Sequence, residues 1–152
     1  IMAGRRIDLV PDNVFAVSSR INSTWGGGLV DMVRSRRLLE IIEADDLFGA
    51  AARSGEVLLA LLQDLGQRYP GVVSNVRGRG LMCAVDLPES RLRDDIVTGL
   101  RNEGVLALPC GERSVRFRPA LSVTEDELRI GAAALDRVLA RVAATTRDRK
   151  SA

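Results

Sequence analysis

The chain has 152 residues, of which 46% are hydrophobic and 28% charged, and its formal net charge is +2. This composition is typical of a folded globular domain and excludes a chain that is disordered over most of its length. Basic residues are spread among acidic ones, so we expect no nucleic-acid partner, and no apolar run is long enough to predict a membrane span. Residues 1–6 lack the apolar segment of a secretory signal, so a cytoplasmic location is expected.

The residue types present exclude several kinds of catalytic site. The chain has no histidine, and Cys83 and Cys110 lack the spacing of a metal-binding motif, so neither a metal site nor a histidine-based triad is expected. Its single lysine, Lys150, lies in a polar C-terminal tail. Chemistry that requires a buried amine nucleophile would have to take that amine from outside these residues.

The N-terminal region is predicted to be irregular as far as the first long helix. Residues 11–13 (Pro-Asp-Asn) indicate a turn, and residues 14–17 favour a short extended piece. After three glycines at 26–28, apolar residues recur with a helical period, which predicts a long helix with one broad apolar face that ends near Asp45.

The clearest helical pattern follows at 48–69, where apolar residues recur at steps of three and four before a Pro-Gly pair at 70–71 ends the helix. Residues 72–76 and 81–87 are then predicted as two strands. Residues 77–80, which contain two glycines, are predicted to join them in a hairpin or a bulged turn.

The C-terminal part continues this alternation of helices and strands. A helix is predicted around 92–100, strands at 105–108 and 114–118, and a final helix that begins with a capping box formed by Thr124 and Glu127. The predicted order is helix, helix, strand, strand, helix, strand, strand, helix. That order favours an α/β (α+β) fold in which a mostly antiparallel sheet has helices packed on one face.

The segment before the first long helix carries groups that suit an anion. Asn22, Ser23 and Thr24 precede Trp25 and the glycines at 26–28. Free N–H groups and the helix dipole favour negative charge at such a helix N-terminus, so a phosphate site is one interpretation. Ordinary capping of the helix by Ser23 or Thr24 explains the same residues, and an exposed Trp25 also suits a subunit contact.

A second candidate site lies on the strand predicted at 114–118. Alternation along a strand places Ser114, Arg116 and Arg118 on one face and the apolar side chains on the other. A guanidinium held on a strand can bind a carboxylate through two parallel hydrogen bonds. A solvated arginine without a ligand is the more common case, so both interpretations stay open on these residues alone.

Taken together, three runs resemble the class III aminotransferases of fold type I, enzymes that use pyridoxal 5'-phosphate (PLP). The runs are Asn22-Ser-Thr-Trp-Gly-Gly27, Arg77-Gly-Arg-Gly-Leu-Met82 and Val115-Arg-Phe-Arg-Pro-Ala-Leu121. The resemblance covers nearly the whole chain apart from the tail, in one consistent order. The stretches most similar to the lysine 6-transaminases of this family are 22–25, 36–43 and 78–84.

The resemblance implies a division of the chain. Residues 1–28 would be the end of the large domain with its cofactor-phosphate segment, and 29–45 an interdomain helix. Residues 46–145 would be the C-terminal small domain, and 146–152 a disordered tail. The family's Schiff-base lysine lies upstream of the matched region, so no catalytic residue is expected within this chain, which we expect to be part of a longer enzyme.

The resemblance also implies roles for individual residues. Thr24 matches the threonine that reaches the PLP phosphate of the neighbouring subunit in a homodimer, with Asn22 and Ser23 beside it. Arg116 matches the arginine that holds the α-carboxylate of lysine, glutamate or 2-oxoglutarate. Arg118 is the fallback if the strand register differs by two residues.

The reaction implied is transfer of the ε-amino group of L-lysine to 2-oxoglutarate. Its products are glutamate and aminoadipate semialdehyde, which cyclises to piperideine carboxylate. By itself the chain is expected to bind PLP weakly, if at all, and to be inactive. Alternatives are an ornithine-type or 4-aminobutyrate-type class III aminotransferase, and a non-catalytic relic or interaction module with an apolar patch around the first helix.

Overall fold

The structure is a computed structural model that describes residues 4–17 and 24–150, with residues 145–150 described by their backbone only. The chain divides into two compact units, Ile1–Ile41 and Ile42–Ala152. Within the described residues, no helix combines the length and the apolar character needed to cross a membrane.

The first unit starts with a short 3₁₀ helix, Arg5–Leu9, which the sequence pattern did not predict, and continues into a turn. Asn13 organises this turn, because its side-chain Oδ1 accepts hydrogen bonds from the backbone amides of Phe15 (2.9 Å) and Ala16 (3.0 Å). The turn predicted around Asn13 is confirmed. The extended piece predicted at 14–17 is wrong, because these bonds fold the backbone back into a turn.

Helix α1 (Leu29–Ala44) confirms the long first helix. None of its residues is buried within the described part of the chain, and Leu29 and Val33 are 79% and 70% exposed. Its polar side is held by exposed ion pairs at helical spacing, such as Arg36 with Glu40 (2.9 Å). The apolar face predicted for this helix is therefore open in the chain as described.

The second unit contains three helices and one four-stranded antiparallel sheet with the strand order β1-β2-β4-β3. Its elements are α2 (Leu47–Arg68), β1 (Ser74–Arg79), β2 (Met82–Asp86), α3 (Ser90–Asn102), β3 (Leu108–Cys110), β4 (Ser114–Phe117) and α4 (Glu125–Lys150). This order of elements confirms the prediction, and so does the α/β fold class.

Most strand boundaries differ from the prediction by one to three residues, and two of the differences have a clear cause. Strand β1 runs through Arg77–Arg79, which were predicted as a turn, so the hairpin turn is shorter. Strand β3 begins at Leu108 instead of Val105, because the amide of Val105 donates to the carbonyl of Leu100 (2.9 Å) and closes the end of α3. Val105 was predicted to begin a strand because it is apolar, but its amide closes the last turn of α3.

The helix ends follow the capping rules. Asp46, in the left-handed region (φ 47°), accepts a hydrogen bond from the amide of Gly49 (3.3 Å) at the start of α2. The capping box of α4 is confirmed, since the amide of Thr124 donates to Glu127 Oε2 (2.8 Å) and the amide of Glu127 donates to Thr124 Oγ1 (3.3 Å).

The core lies between one face of the sheet and the three helices. Because side chains alternate along strands, Cys83, Val85 and Val115 point into the core, and Ala84, Asp86 and the other alternate residues lie on the opposite face. The largest fully buried side chains of this core are Leu62, Leu65, Leu87, Ile96, Leu100, Leu135 and Leu139. The sheet therefore has one face committed to packing and one face free to carry polar groups.

Helix α2 and the β1–β2 hairpin approach each other through two glycines. Gly55 is buried on α2, and Gly80 occupies the hairpin turn with φ +52°. A β-carbon built on Gly55 would overlap the backbone of Gly80. The hairpin can therefore lie against α2 only where the helix has no side chain.

Candidate functional site

Arg116 lies on strand β4, which pairs with a neighbouring strand on each side. Its direct cross-strand partners are Ala84 on β2 and Leu108 on β3, and all of them share the sheet face that points away from the helices. The side chain is half-buried, and its Nε is buried without a hydrogen-bond partner among the described residues. A buried guanidinium N–H without a partner is unusual, and a carboxylate would satisfy it in a two-bond geometry.

Arg118 occupies a different environment. It lies beyond the end of β4, is exposed, and borders an apolar cavity of about 140 Å³ lined by residues such as Phe117, Leu128 and Leu135. Apart from Arg118, the lining is mostly apolar and its other charged side chain is the carboxylate of Glu127, so a substrate carboxylate placed there would lose water and meet a like charge. Of the two arginines predicted from the strand pattern, Arg116 has the environment of an anion-binding group.

A buried carboxylate lies beside Arg116 on the same face of the sheet. Asp86, only 6% exposed, accepts hydrogen bonds from Ser114 Oγ (2.6 Å), Asn75 Nδ2 (2.8 Å) and Arg77 Nη1 (2.8 Å). Arg77 Nη2 also donates to Ser114 Oγ (3.1 Å), which closes the group into a network. Below we call Asp86, Arg77, Ser114 and Asn75 the Asp86 network.

This network was not predicted from the sequence, although Arg77 and Ser114 stood out there for other reasons. The only available signal was an acidic residue at the end of an apolar strand pattern, where Asp86 follows Val85. Its partners come from two other strands, so their proximity depends on the strand order and could not be deduced from local spacing.

Burial raises the pKa of Asp86, but hydrogen bonds from Ser114, Asn75 and Arg77, together with the charge of Arg77, outweigh it and lower the pKa to about 2. The carboxylate is therefore ionised at neutral pH. A carboxyl group whose pKa is lower in the folded than in the unfolded state adds stability above its unfolded pKa, and this stability is lost as the pH falls through the folded pKa.

This shift predicts a pH-dependent stability. Between about pH 4 and about pH 2, the wild-type chain should lose about 2 kcal/mol that an Asp86→Asn variant does not lose, because the variant has no carboxyl group to protonate. Urea denaturation of both proteins across that range measures the difference. Parallel pH profiles for the two proteins would show that the network does not stabilise the ionised carboxylate.

The candidate phosphate segment is described in part. Thr24 is exposed and lies in the turn before α1, beside Trp25, which is 84% exposed. Asn22 and Ser23 lie outside the described residues. Gly27 has φ +79° and open space where a side chain would be, and Asp31 in the first turn of α1 is paired with Arg34 at 2.6 Å.

The described part of this segment fits a single phosphate contact. It exposes the hydroxyl of Thr24 and open backbone at Gly27 ahead of a helix, and Asp31, whose carboxylate lies near Gly28, is paired with Arg34. Among the described residues, no group of histidine, cysteine or acidic side chains could hold a metal ion.

Comparison with known proteins identifies the family. The family described as aminotransferase class III matches residues 9–139, which include both the turn before α1 and the strand that carries Arg116. The chain belongs to the class III aminotransferases. The family resemblance deduced from the three sequence runs is therefore confirmed.

Relatives of this aminotransferase chain include L-lysine-epsilon aminotransferases. That of Streptomyces clavuligerus is 57% identical over 129 residues, which are 84% of this chain and 28% of the relative. That of Amycolatopsis lactamdurans is 55% identical, over 92% of this chain and 31% of the relative. A mitochondrial 4-aminobutyrate aminotransferase from Sus scrofa is 42% identical, over 67% of this chain and 20% of its own.

Solved structures agree with the family. Lysine aminotransferase from M. tuberculosis superposes with a TM-score of 0.82 at 52% sequence identity, over 93% of this chain and 32% of that chain. A transaminase solved with L-alanine gives a TM-score of 0.66 at 27% identity, and the match covers 71% of this chain and 27% of the transaminase chain. The chain thus spans about a third of the length of the lysine aminotransferases that it matches.

Proposed function

We propose that this chain is the C-terminal portion of a PLP-dependent aminotransferase that transfers the ε-amino group of L-lysine to 2-oxoglutarate. The products would be glutamate and aminoadipate semialdehyde, which cyclises to piperideine carboxylate. The observation that carries this proposal is the buried Nε of Arg116. In this class III aminotransferase chain, that atom has no hydrogen-bond partner among the described residues. Identities of 55–57% to lysine enzymes, against 42% to a 4-aminobutyrate enzyme, support lysine as the donor.

The chain's own residues would bind and orient. Arg116 would hold the α-carboxylate of lysine, glutamate or 2-oxoglutarate through two parallel hydrogen bonds. Thr24, with Asn22 and Ser23 beside it, would contact the phosphate of PLP bound to the neighbouring subunit of a homodimer. The cofactor, when bound, supplies the electron sink for amino transfer.

The proposal includes the division of the chain that the family resemblance implies. Residues 1–28 would complete the large domain, 29–45 would link the domains, and 46–145 would form the small domain. Residues 146–152 would be a tail, whose first part continues helix α4 as far as Lys150. The Schiff-base lysine would come from residues that precede the matched region, because the single lysine of this sequence, Lys150, is in the tail. The enzyme would work in the cytoplasm.

Expression of this chain together with the in-frame coding sequence that precedes it tests the proposal. We expect this longer protein to form glutamate from L-lysine and 2-oxoglutarate, and the 152-residue chain alone to form none. Faster turnover with ornithine or 4-aminobutyrate would overturn the choice of donor. Turnover by the 152 residues alone would overturn the proposal that the Schiff-base lysine comes from preceding residues.

An interaction module is the second candidate, and one observation favours it. Helix α1 exposes Leu29, Val30, Met32 and Val33, and Trp25 precedes them. Clustered apolar side chains of this kind mark surfaces that bind another protein. If stop codons precede the chain in its gene, this candidate predicts self-association of the 152 residues in sedimentation experiments, and a purely monomeric chain would contradict it.

A further inference from the structure

The neighbours of Arg116 include a carboxylate that could capture it. Asp86 is directly opposite Ser114, and Ala84 is directly opposite Arg116, so Asp86 and Arg116 are diagonal neighbours on one face of adjacent strands. Such neighbours lie about 7 Å apart, which a side chain as long as arginine can span. An ion pair between them would occupy the guanidinium that the proposed function requires for substrate.

The structure shows a different pairing. The Oδ1 atom of Asp86 accepts from Arg77 (2.8 Å) and Ser114 (2.6 Å), and its Oδ2 atom accepts from Asn75 (2.8 Å). Within the described residues, Arg116 forms no ion pair, and its buried Nε has no partner. The nearby carboxylate is thus engaged by one arginine, while the other keeps its hydrogen-bonding capacity.

Arg77 lies on β1, so it reaches Asp86 from the side of β2 opposite to the strand that carries Arg116. It stands on β1 directly opposite Ala84, and its guanidinium extends past that small residue to Ser114 on β4. Its two terminal nitrogens are both engaged, since Nη1 also donates to the carbonyl of Asn75 (2.9 Å). Arg77, although its side chain is 45% exposed, therefore has both terminal nitrogens engaged by groups of the protein, which leaves it less available than Arg116 for an external anion.

We propose that Arg77 is a positioning residue that holds the carboxylate of Asp86 and thereby keeps Arg116 free for a substrate carboxylate. This inference rests on the proposed function of Arg116. Without Arg77, the buried carboxylate of Asp86 has no cationic partner. Arg116, on the neighbouring strand β4, is the cationic side chain that can take the place of Arg77. Loss of Arg77 would then weaken substrate binding through competition inside the protein.

The pairing can be observed without any ligand. In the 152-residue chain labelled with ¹⁵N, the Nε–H signal of Arg116 reports whether this group is hydrogen-bonded. In Arg77→Ala, we expect this signal to shift and its proton to exchange more slowly with water, because Asp86 now accepts from it. Arg77→Ala/Asp86→Asn should restore the wild-type signal, and Arg77→Lys, which keeps a cation beside Asp86, should resemble the wild type.

Titration of the proposed longer enzyme with 2-oxoglutarate then measures the consequence for binding. Arg77→Ala should bind about tenfold more weakly than the wild type, and the double variant should recover most of that loss. Arg79→Ala is the matched control, because it removes the same charge from the same face of β1, two residues away, and should bind like the wild type. Circular dichroism and the amide spectrum establish that each variant is folded.

The outcomes separate the two proposals. An unchanged Arg116 signal in Arg77→Ala overturns the positioning role, whatever the affinity for 2-oxoglutarate. Equal weakening in Arg77→Ala and the double variant also overturns it, since competition from Asp86 would not be the cause. In the longer enzyme, an affinity for 2-oxoglutarate that Arg116→Ala leaves unchanged, while the variants of the 152-residue chain still show capture by Asp86, overturns the carboxylate-binding function and leaves the pairing intact.

Discussion

A Gly55→Ala substitution is expected to destabilise the second unit by about 3 kcal/mol and to lower its Tm by roughly 10 °C. The new methyl group would overlap the carbonyl carbon and oxygen of Gly80, and these atoms belong to a backbone turn that cannot rotate aside. Accommodation therefore requires the hairpin to move away from α2, which would disturb the packing of β1 and β2 on the core.

Gly131→Ala is the matched control, because Gly131 also lies inside a helix, here α4, but has open space where a side chain would be. Alanine has a higher helix propensity than glycine, so this variant should be more stable than the wild type by about 0.5–1 kcal/mol. Thermal and urea denaturation of both variants measure the two effects. A loss of stability at Gly55 no larger than the change at Gly131 would contradict the close contact between α2 and the hairpin.

The second large effect is expected at Arg116, in the longer enzyme proposed above. Arg116→Ala should lower kcat/KM for L-lysine about 100-fold, which corresponds to about 3 kcal/mol for a charged pair that loses one partner. Arg116→Lys should restore part of the activity, since an ammonium keeps the charge but cannot make two parallel bonds. Absorbance of the bound cofactor should be unchanged in both variants.

Arg118→Ala is the control for the position of the arginine. Arg118 is exposed and borders an apolar cavity, so its removal should change kcat/KM by less than about threefold. If Arg118→Ala were the damaging change and Arg116→Ala were mild, the carboxylate-binding role would belong to the fallback residue. Steady-state kinetics with lysine and with 2-oxoglutarate, measured separately, distinguish these results.

The helices of this chain could be predicted from the sequence because their signals are local. In α2, apolar residues recur at helical steps for the whole length of Leu47–Arg68, and a Pro-Gly pair follows. In α4, Thr124 and Glu127 form the predicted reciprocal cap. Each of these signals involves residues that are close in sequence, so no knowledge of the tertiary structure was needed.

The strand ends could not be predicted in the same way, since pairing defines them. Val105 and Leu108 belong to one continuous apolar run, and nothing local separates the residue that closes α3 from the residue that pairs with β4. Alternation did place Arg116 on the face opposite Val115. It could not place Asp86 beside Arg116, because that proximity requires β2 and β4 to be neighbours in the sheet.

Strand β4 is flanked by hydrogen-bonded neighbours on both sides, with β2 along one edge and β3 along the other. The backbone around Arg116 can therefore be released only by breaking two ladders at once, so its amide hydrogen should exchange with solvent only on global unfolding. The position of the Arg116 Cα atom is then as durable as the fold itself. Under the proposed function, adjustment to substrates of different length would come from rotation of the arginine side chain.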